Sequence, residues 1–303
     1  MSRYFALSRT VHVLLDIAAP AFCALLWLGS FPPWHITVLA LATAFAAYTS
    51  VYALNDIVGL KYDRQKFSGA QVNQGYAVDG SARRHPLAQN ALPLRGALIW
   101  TSLWFGLALA GSYWLNPWIV VVLLGGVLLE VFYCRLLKVT HLRALLSGLV
   151  KTSGPIAAVL VVDANPAPFR LLLMILWLFL WELGGQNIPS DWNDTVEDRR
   201  VDAQTIPIRF GLKSSGRIIL AALAVCVFVS ALLPWISPAP LGALYVLGTV
   251  LLGGLLLLRP AFQLQRMQQG RLAARLFDSA SYYPLGNLAL LSAFLAAQGL
   301  PGG

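Results

Sequence analysis

Charge is scarce in this chain of 303 residues. Asp, Glu, Lys and Arg make up 12% of it, about half the share that soluble domains carry. That shortage excludes a soluble enzyme of ordinary composition, a disordered segment and a nucleic-acid binder built on a basic tail. Cysteine is scarce too. Cys23, Cys134 and Cys226 lie in or beside apolar stretches and form no CxxC pair, which excludes a disulfide framework and a thiolate metal site. The four histidines, His12, His35, His85 and His141, are isolated from one another and make poor ligand candidates. Strict alternation of apolar and polar residues is missing, so the chain is not a transmembrane β-barrel.

What the chain has is apolar length. Hydrophobic residues are 58% of it, with ten Trp and 25 Gly. That mixture suits a membrane protein, where Trp marks the interfaces and Gly lets helices approach. Nine stretches of about 16 to 21 residues read as membrane helices by length and hydropathy. They lie near 11–30, 34–54, 96–114, 118–133, 144–162, 171–190, 218–236, 240–258 and 284–300. Arg3 and Arg9 precede the first as they would a signal peptide. Asp16 and Pro20 inside it, and eight spans behind it, favour a retained first helix.

The net charge of +9 is a topology signal before it is a polyanion signal. With the N-terminus in the cytoplasm, the loops after the second, fourth, sixth and eighth spans face inward as well. Twenty of the 22 Lys and Arg then fall on that side, leaving Lys151 within the fifth span and Arg170 outside. The outer connections are short. The inner ones are long and polar, loop 55–95 above all, which is where chemistry is expected on a bundle. The expectation is a multi-pass protein with a cytoplasmic N-terminus and an external C-terminus, in the inner membrane if the source is bacterial.

The 13 acidic residues are unevenly spread. Asn55, Asp56 and Asp63 end the second span; Asp191, Asp194 and Asp198 end the sixth. If the helices run on past the membrane edge, Asn55 and Asp63 are i, i+8, Asp56 and Asp63 are i, i+7, and Asp191, Asp194 and Asp198 are i, i+3, i+7. Each set shares a helical face. Stacked like charges call for compensation, and Mg²⁺, which takes carboxylate oxygens and completes its shell with water and phosphate, supplies it. Solvated acidic helix ends are the plainer alternative. Among the nearby bases Arg64, Arg135, Lys138 and Arg200 stand out as diphosphate partners, although positive-inside topology accounts for most Lys and Arg. Ionisable residues at membrane depth are functional candidates: Asp16, Glu130, Lys151 and Glu182. Glu182 with Gln186 and Asn187 forms one polar face, a cavity lining in prospect. Tyr48 and Tyr52, at i, i+4, lead towards Asp56 and would suit either a passing cation or an interfacial belt.

At these residues the sequence resembles the UbiA superfamily of intramembrane prenyltransferases. The first motif of that family reads Asn-Asp-x-x-Asp-x-x-x-Asp, matched here at Asn55, Asp56 and Asp63, with Gly59 in place of the middle Asp. The second, Asp-x-x-Asp-x-x-x-Asp, is matched at Asp191, Asp194 and Asp198. Arg199, the run Thr205-Ile206-Pro207, Arg84-His85-Pro86-Leu87 and Tyr133 with Lys138 are also similar to family stretches. The resemblance implies one domain over 1–303, an all-α bundle of about nine transmembrane helices with a central cavity and cytoplasmic cap loops. It implies Mg²⁺-dependent transfer from a polyprenyl diphosphate to a small aromatic or lipid acceptor, an aromatic quinone precursor by default. It implies Asp63, Asp191 and Asp198 as catalytic residues, Asn55, Asp56, Asp63, Asp191, Asp194 and Asp198 as metal ligands, and Tyr133 beside the bases at the diphosphate. The competing readings are a transporter, which would carry its charges near the bilayer midplane, and an inactive scaffold, since Gly59 removes one expected ligand.

Overall fold

The computed structural model describes residues 2–66 and 85–299. Within them the chain is helical and has no strand. Short α1 (Ser2–Leu7) and α2 (Thr10–Asp16) lead into α3 (Ala18–Leu28). Then come α4 (Trp34–Lys66), α5 (Leu94–Leu115), α6 (Pro117–Arg135), α7 (Arg143–Val162) and α8 (Pro168–Trp181). A π-helical turn, Glu182–Asn187, passes α8 into α9 (Ile188–Asn193) and α10 (Thr195–Arg200). After α11 (Ile206–Leu232) and α12 (Gly242–Gly253), a second π turn, Gly254–Leu258, leads to α13 (Arg259–Met267), α14 (Gly270–Ser281) and α15 (Tyr283–Ala297).

Eight helical segments among the described residues are long and apolar enough to cross a membrane: Thr10–Leu28, Trp34–Lys66, Leu94–Leu115, Pro117–Lys138, Arg143–Val162, Pro168–Asn193, Ile206–Ile236 and Gly242–Met267. They match the first eight expected spans. The ninth, expected at 284–300, is α15, which has 15 residues. It stays separate from α14 because Tyr282 interrupts the helix and Pro284 brings no N–H to bond the carbonyl of Ala280.

Proline sets several other boundaries. Pro117 opens α6, and the Asn116 side chain caps it by accepting from the Trp118 N–H at 3.0 Å. Gly29 ends α3 at φ 72°, and a Cβ there would lie 2.6 Å from Pro238 Cγ, so both backbone and packing require glycine. The first π turn contains Gly184-Gly185, the second begins on the second glycine of Gly253-Gly254, and a proline, Pro189 or Pro260, follows each two residues on. The Pro189 ring presses on the carbonyl of Gly185 four residues back, and the helix widens there.

The main core joins α3, α7, α8, α11, α12 and α15 around Trp177, Trp181, Tyr245 and Tyr283, each at most 1% exposed. The outer surface is apolar, as a lipid-facing surface is: Leu98, Ile99, Leu103 and Leu107 of α5 are all exposed. Trp34, Trp114, Trp118, Phe169 and Trp235 are exposed beside the short connections, forming an aromatic belt at one end of the bundle.

Candidate active site

At the other end, α4 runs on unbroken beyond its apolar stretch and carries Asp56 and Asp63 two turns apart on one face. His85 joins them. Its Nδ1 lies 3.2 Å from Asp56 Oδ1 and 3.2 Å from Asp63 Oδ2, and ligand atoms of the three fall within 4.8 Å of one another. Arg9 Nη2 stands 3.5 Å from the same Asp56 oxygen. His85 and Arg9 both adopt left-handed backbone, φ 53° and 48°, uncommon for residues with a Cβ. Two such residues converging on one carboxylate are strain of the kind that functional sites hold. Burial alone would lower the His85 pKa, but the charges of Asp63 and Asp56 outweigh it and raise the value to about 9. The expectation that His85 is a poor ligand candidate is therefore corrected: it is remote in sequence and adjacent in space.

The second cluster caps the π turn. Asp191 sits in α9, Asp194 between α9 and α10, and Asp198 in α10, all at most 9% exposed. The helix does not run straight through them as the spacing suggests. It breaks at Asp194, and the Thr195 hydroxyl satisfies freed carbonyls of Asp191 and Trp192 at 3.2 and 2.6 Å. Burial pushes the Asp198 and Glu197 carboxyls up, and Lys66 works against that at Asp198, its Nζ 2.5 Å from Oδ1. Arg143, the first residue of α7, donates to Asp191 Oδ1 at 2.7 Å and lies over the Tyr133 ring at 4.4 Å. Asp191 Oδ2 has no hydrogen-bond partner among the described residues. Because Lys66 belongs to α4, its bridge to Asp198 holds the two clusters side by side.

A cavity of about 280 Å³ reaches Asn55 and Ser190, the sequence neighbours of Asp56 and Asp191, at one end. Its near wall is polar: Arg9, Tyr52, Asn55, Glu130, Lys151 and Glu182. Its far wall is small and apolar. Ala40, Ala44 and Ala47 of α4 face Gly154, Ala157 and Ala158 of α7, and the lining ends at Ile36, Leu115 and Val162. From Asn55 to Ile36 along α4 is about 30 Å. Tyr48 and Tyr52 both line this cavity, which sets aside the interfacial belt. The Tyr52 hydroxyl bonds Asp16 and receives a bond from Lys151 Nζ at 2.8 Å, while Lys151 reaches Asp16 at 2.5 Å. Asp16 and Lys151 are thus each other's partners at membrane depth.

Asn55 is turned towards Glu130: its Nδ2 donates to Oε1 at 2.5 Å and to Cys134 Sγ at 3.4 Å. Asn187 Nδ2 donates to the Tyr133 hydroxyl at 3.0 Å. The four bases singled out in the sequence are all exposed. Arg64 bonds Asn90, Lys138 lies over the Tyr62 ring, Arg200 bonds the carbonyl of Lys66, and Arg135 ends α6. The cations on the motif carboxylates are Arg9, Lys66, His85 and Arg143. Of these, Lys66 was legible as the i+3 neighbour of Asp63. Arg143 reads as an ordinary inward-facing charge. Arg84, next to His85, lies outside the described residues.

A family model for the UbiA prenyltransferase family matches residues 17–283. The chain belongs to this family. A comparison with curated protein sequences finds no match. Among solved structures, a UbiA homologue from Aeropyrum pernix K1 is similar at TM-score 0.72 and 20% identity, covering 95% of this chain and 98% of that one. A UbiA homologue from Archaeoglobus fulgidus bound to DMAPP and Mg²⁺ gives 0.68 and 14%, over 96% and 99%. A digeranylgeranylglyceryl phosphate synthase gives 0.64 and 17%, over 97% and 98%. At these identities the likeness is one of fold. With the family model it makes this chain a multi-pass membrane prenyltransferase of UbiA type. The donor set suits a hard cation, since Asp56 and Asp63 bring carboxylate oxygens within 4.8 Å of each other and Asp191 Oδ2 has no hydrogen-bond partner among the described residues.

Proposed function

We propose that the chain transfers a polyprenyl group from a polyprenyl diphosphate to an aromatic quinone precursor, with Mg²⁺ held by the two acid clusters. The observation that carries this reading is their placement, bridged by Lys66, at the polar end of an apolar cavity. The Archaeoglobus fulgidus homologue with bound DMAPP and Mg²⁺ supports the donor class and the metal. Asp56 and Asp63 on one side, and Asp191, Asp194 and Asp198 on the other, would hold the cation. Bound there, it would neutralise the leaving diphosphate and favour ionisation of the allylic C–O bond. Lys66 and Arg143 are fixed beside the clusters to bind diphosphate oxygens. The exposed Arg64, Arg135, Lys138 and Arg200 are long enough to close over it. The prenyl tail would lie along the Ala- and Gly-lined far wall. Tyr48 and Tyr52 present ring faces to a developing cation. The bases gather at this end, which we place in the cytoplasm, in a bacterium on the inner face of the inner membrane.

The test is diphosphate release from geranyl diphosphate by purified protein in nanodiscs. Wild type should release it only with Mg²⁺. Asp63→Asn should lower the rate about 10²-fold or more, the size of effect seen when an electrostatic stabiliser is lost, with an unfolding midpoint near that of wild type, since Asp63 keeps 13% of its side chain exposed. Asp191→Asn should be as inactive but less stable, because it leaves buried Arg143 without its carboxylate. Full activity of Asp63→Asn, or release without a divalent ion, counts against the proposal.

A further inference from the structure

The π turn presents the cavity with more unpaired hydrogen-bond acceptors than donors. Gln186 Nε2 is spent on the Phe277 carbonyl at 3.1 Å and Ser281 Oγ at 3.2 Å. Asn187 Nδ2 gives one of its two N–H groups to the Tyr133 hydroxyl. Glu182 Oε1 accepts from the Ser147 hydroxyl at 2.6 Å. What remains is Glu182 Oε2, Gln186 Oε1 and Asn187 Oδ1, each buried and without a hydrogen-bond partner among the described residues. All three residues line the cavity, and Glu182 is 6% exposed. Buried acceptors left unpaired are costly, and a widened turn is a recurrent feature of functional helices. These three oxygens lack a donor among the described residues.

The charges on the same wall narrow the choice of donor. Lys151 is committed to Asp16 and Arg9 to Asp56. Glu130 and Glu182 have no salt bridge among the described residues, and Glu130 is held by the neutral Asn55 amide and the Cys134 thiol. A ligand bringing another carboxylate would meet surplus negative charge in an apolar surround, where it is poorly screened. A ligand bringing hydroxyl groups would satisfy the orphaned oxygens.

We infer that Glu182, Gln186 and Asn187 form the acceptor subsite, that it takes an uncharged hydroxylated aromatic such as a hydroquinone, and that Glu182 is the base for the transfer. This rests on the prenyl-transfer reading and names the acceptor class within it. In the step, the allylic C–O bond breaks and its electron pair leaves with diphosphate. A ring carbon beside the acceptor hydroxyl supplies the pair for the new C–C bond, and the hydroxyl proton passes to Glu182. The resulting dienone loses its ring C–H proton to the departing diphosphate and regains the hydroxyl proton from Glu182. The carboxylate is restored and one proton is released overall.

Two probes that differ by one carboxylate test it: 1,4-dihydroxynaphthalene and 1,4-dihydroxy-2-naphthoate, each given with Mg²⁺ and geranyl diphosphate to the full chain in nanodiscs. Wild type should prefer the neutral probe at least about tenfold in kcat/KM. Glu182→Gln should shift the partition of geranyl groups from acceptor to water by about 10²-fold, the contribution of a general base. Glu182→Asp should recover part of the transfer, and Asn187→Ala should raise the acceptor KM with little change in kcat. A purely structural role for Glu182 would instead lower transfer and hydrolysis together, and that result overturns the inference. So does a preference for the naphthoate, or a wild-type partition in Glu182→Gln. Wild-type protein that releases no diphosphate with either probe overturns the prenyl-transfer reading as well, so the two failures are told apart. Should Glu182→Gln fail to fold, the acceptor preference of wild type and the partition in Glu182→Asp still decide.

Discussion

Gly59 is where the chain departs from the family motif. It lies one turn before Asp63 on the face that carries the carboxylates. Its backbone is ordinary helix, so no unusual φ demands glycine there. A Cβ at this position would meet only the Asp63 carboxylate, at 3.1 Å from Oδ2. Glycine therefore serves neither a turn nor a close approach of another element. The gap it leaves is the width of a carboxylate side chain, beside two that already share His85. Gly59→Asp should be tolerated by the fold, since Ala-like geometry favours helix by about 1 kcal/mol over Gly and the neighbour that must shift is a side-chain end. The added carboxylate raises the charge facing a cation, so the Mg²⁺ concentration for half-maximal diphosphate release should fall several-fold. Turnover titrated against Mg²⁺ checks this. Loss of geranyl diphosphate binding at saturating Mg²⁺ would show that the gap is kept for the substrate.

Among the elements, the π turn Glu182–Asn187 has the greatest consequence for the site. Gly184 and Gly185 let it press against its neighbours. A Cβ on Gly184 would lie 3.0 Å from Leu223 Cγ and 3.1 Å from Ala222 Cβ of α11, and one on Gly185 would lie 2.9 Å from Ala280 Cβ of α14. Ala280 has no flexible end to move away, so Gly185→Val must push α14 outward. Overpacking of this kind costs about 1–3 kcal/mol. Its unfolding midpoint in detergent should drop clearly, while Gly125→Ala, which lies inside α6 and meets nothing within 4 Å, should hold or raise the midpoint. Equal midpoints for the two would refute tight packing at this turn. The same turn shows what a sequence reveals. Hydropathy gives the spans, and spacing gives the helical register of Asp56 and Asp63, because those depend on residues close in the chain. Glu182, Gln186 and Asn187 also read as one face. The turn's widening is written in Gly184-Gly185 followed by Pro189, but only as a pattern with several outcomes. His85 and Arg143 were illegible as site residues, since nothing near them in sequence says which carboxylate they meet. The last span was legible from residue 284 on, because Asp278, Ser279, Ser281 and Pro284 mark the break that precedes it.

At the scale of the whole molecule, the asymmetry of charge becomes an asymmetry of ends. Arg9, Lys66, His85 and Arg143 converge on the acid clusters, with Arg200 on the Lys66 carbonyl beside them, and the aromatic belt of Trp34, Trp114, Trp118 and Trp235 marks the opposite end. Arg170, the exception in the charge count, lies at the belt end and is spent there. Its guanidinium stacks 4.4 Å over the Trp27 ring and bonds the Ile236 carbonyl, while Trp27 donates to Asp163 at 2.9 Å. A basic residue tied down in this way stabilises packing and gives little signal for retention on the inner side. The cluster end should therefore face the cytoplasm. Cys23, Cys134 and Cys226 are buried, so cysteines introduced at exposed positions can be labelled over a low background. In intact cells a membrane-impermeant maleimide should modify Ala164→Cys, in the connection between α7 and α8. It should modify Gln89→Cys, beside the His85 cluster, only after the membrane is opened. The opposite pattern would put the acid clusters outside, away from any prenyl diphosphate made in the cytoplasm, and would break the link between charge and orientation on which the placement of the site depends.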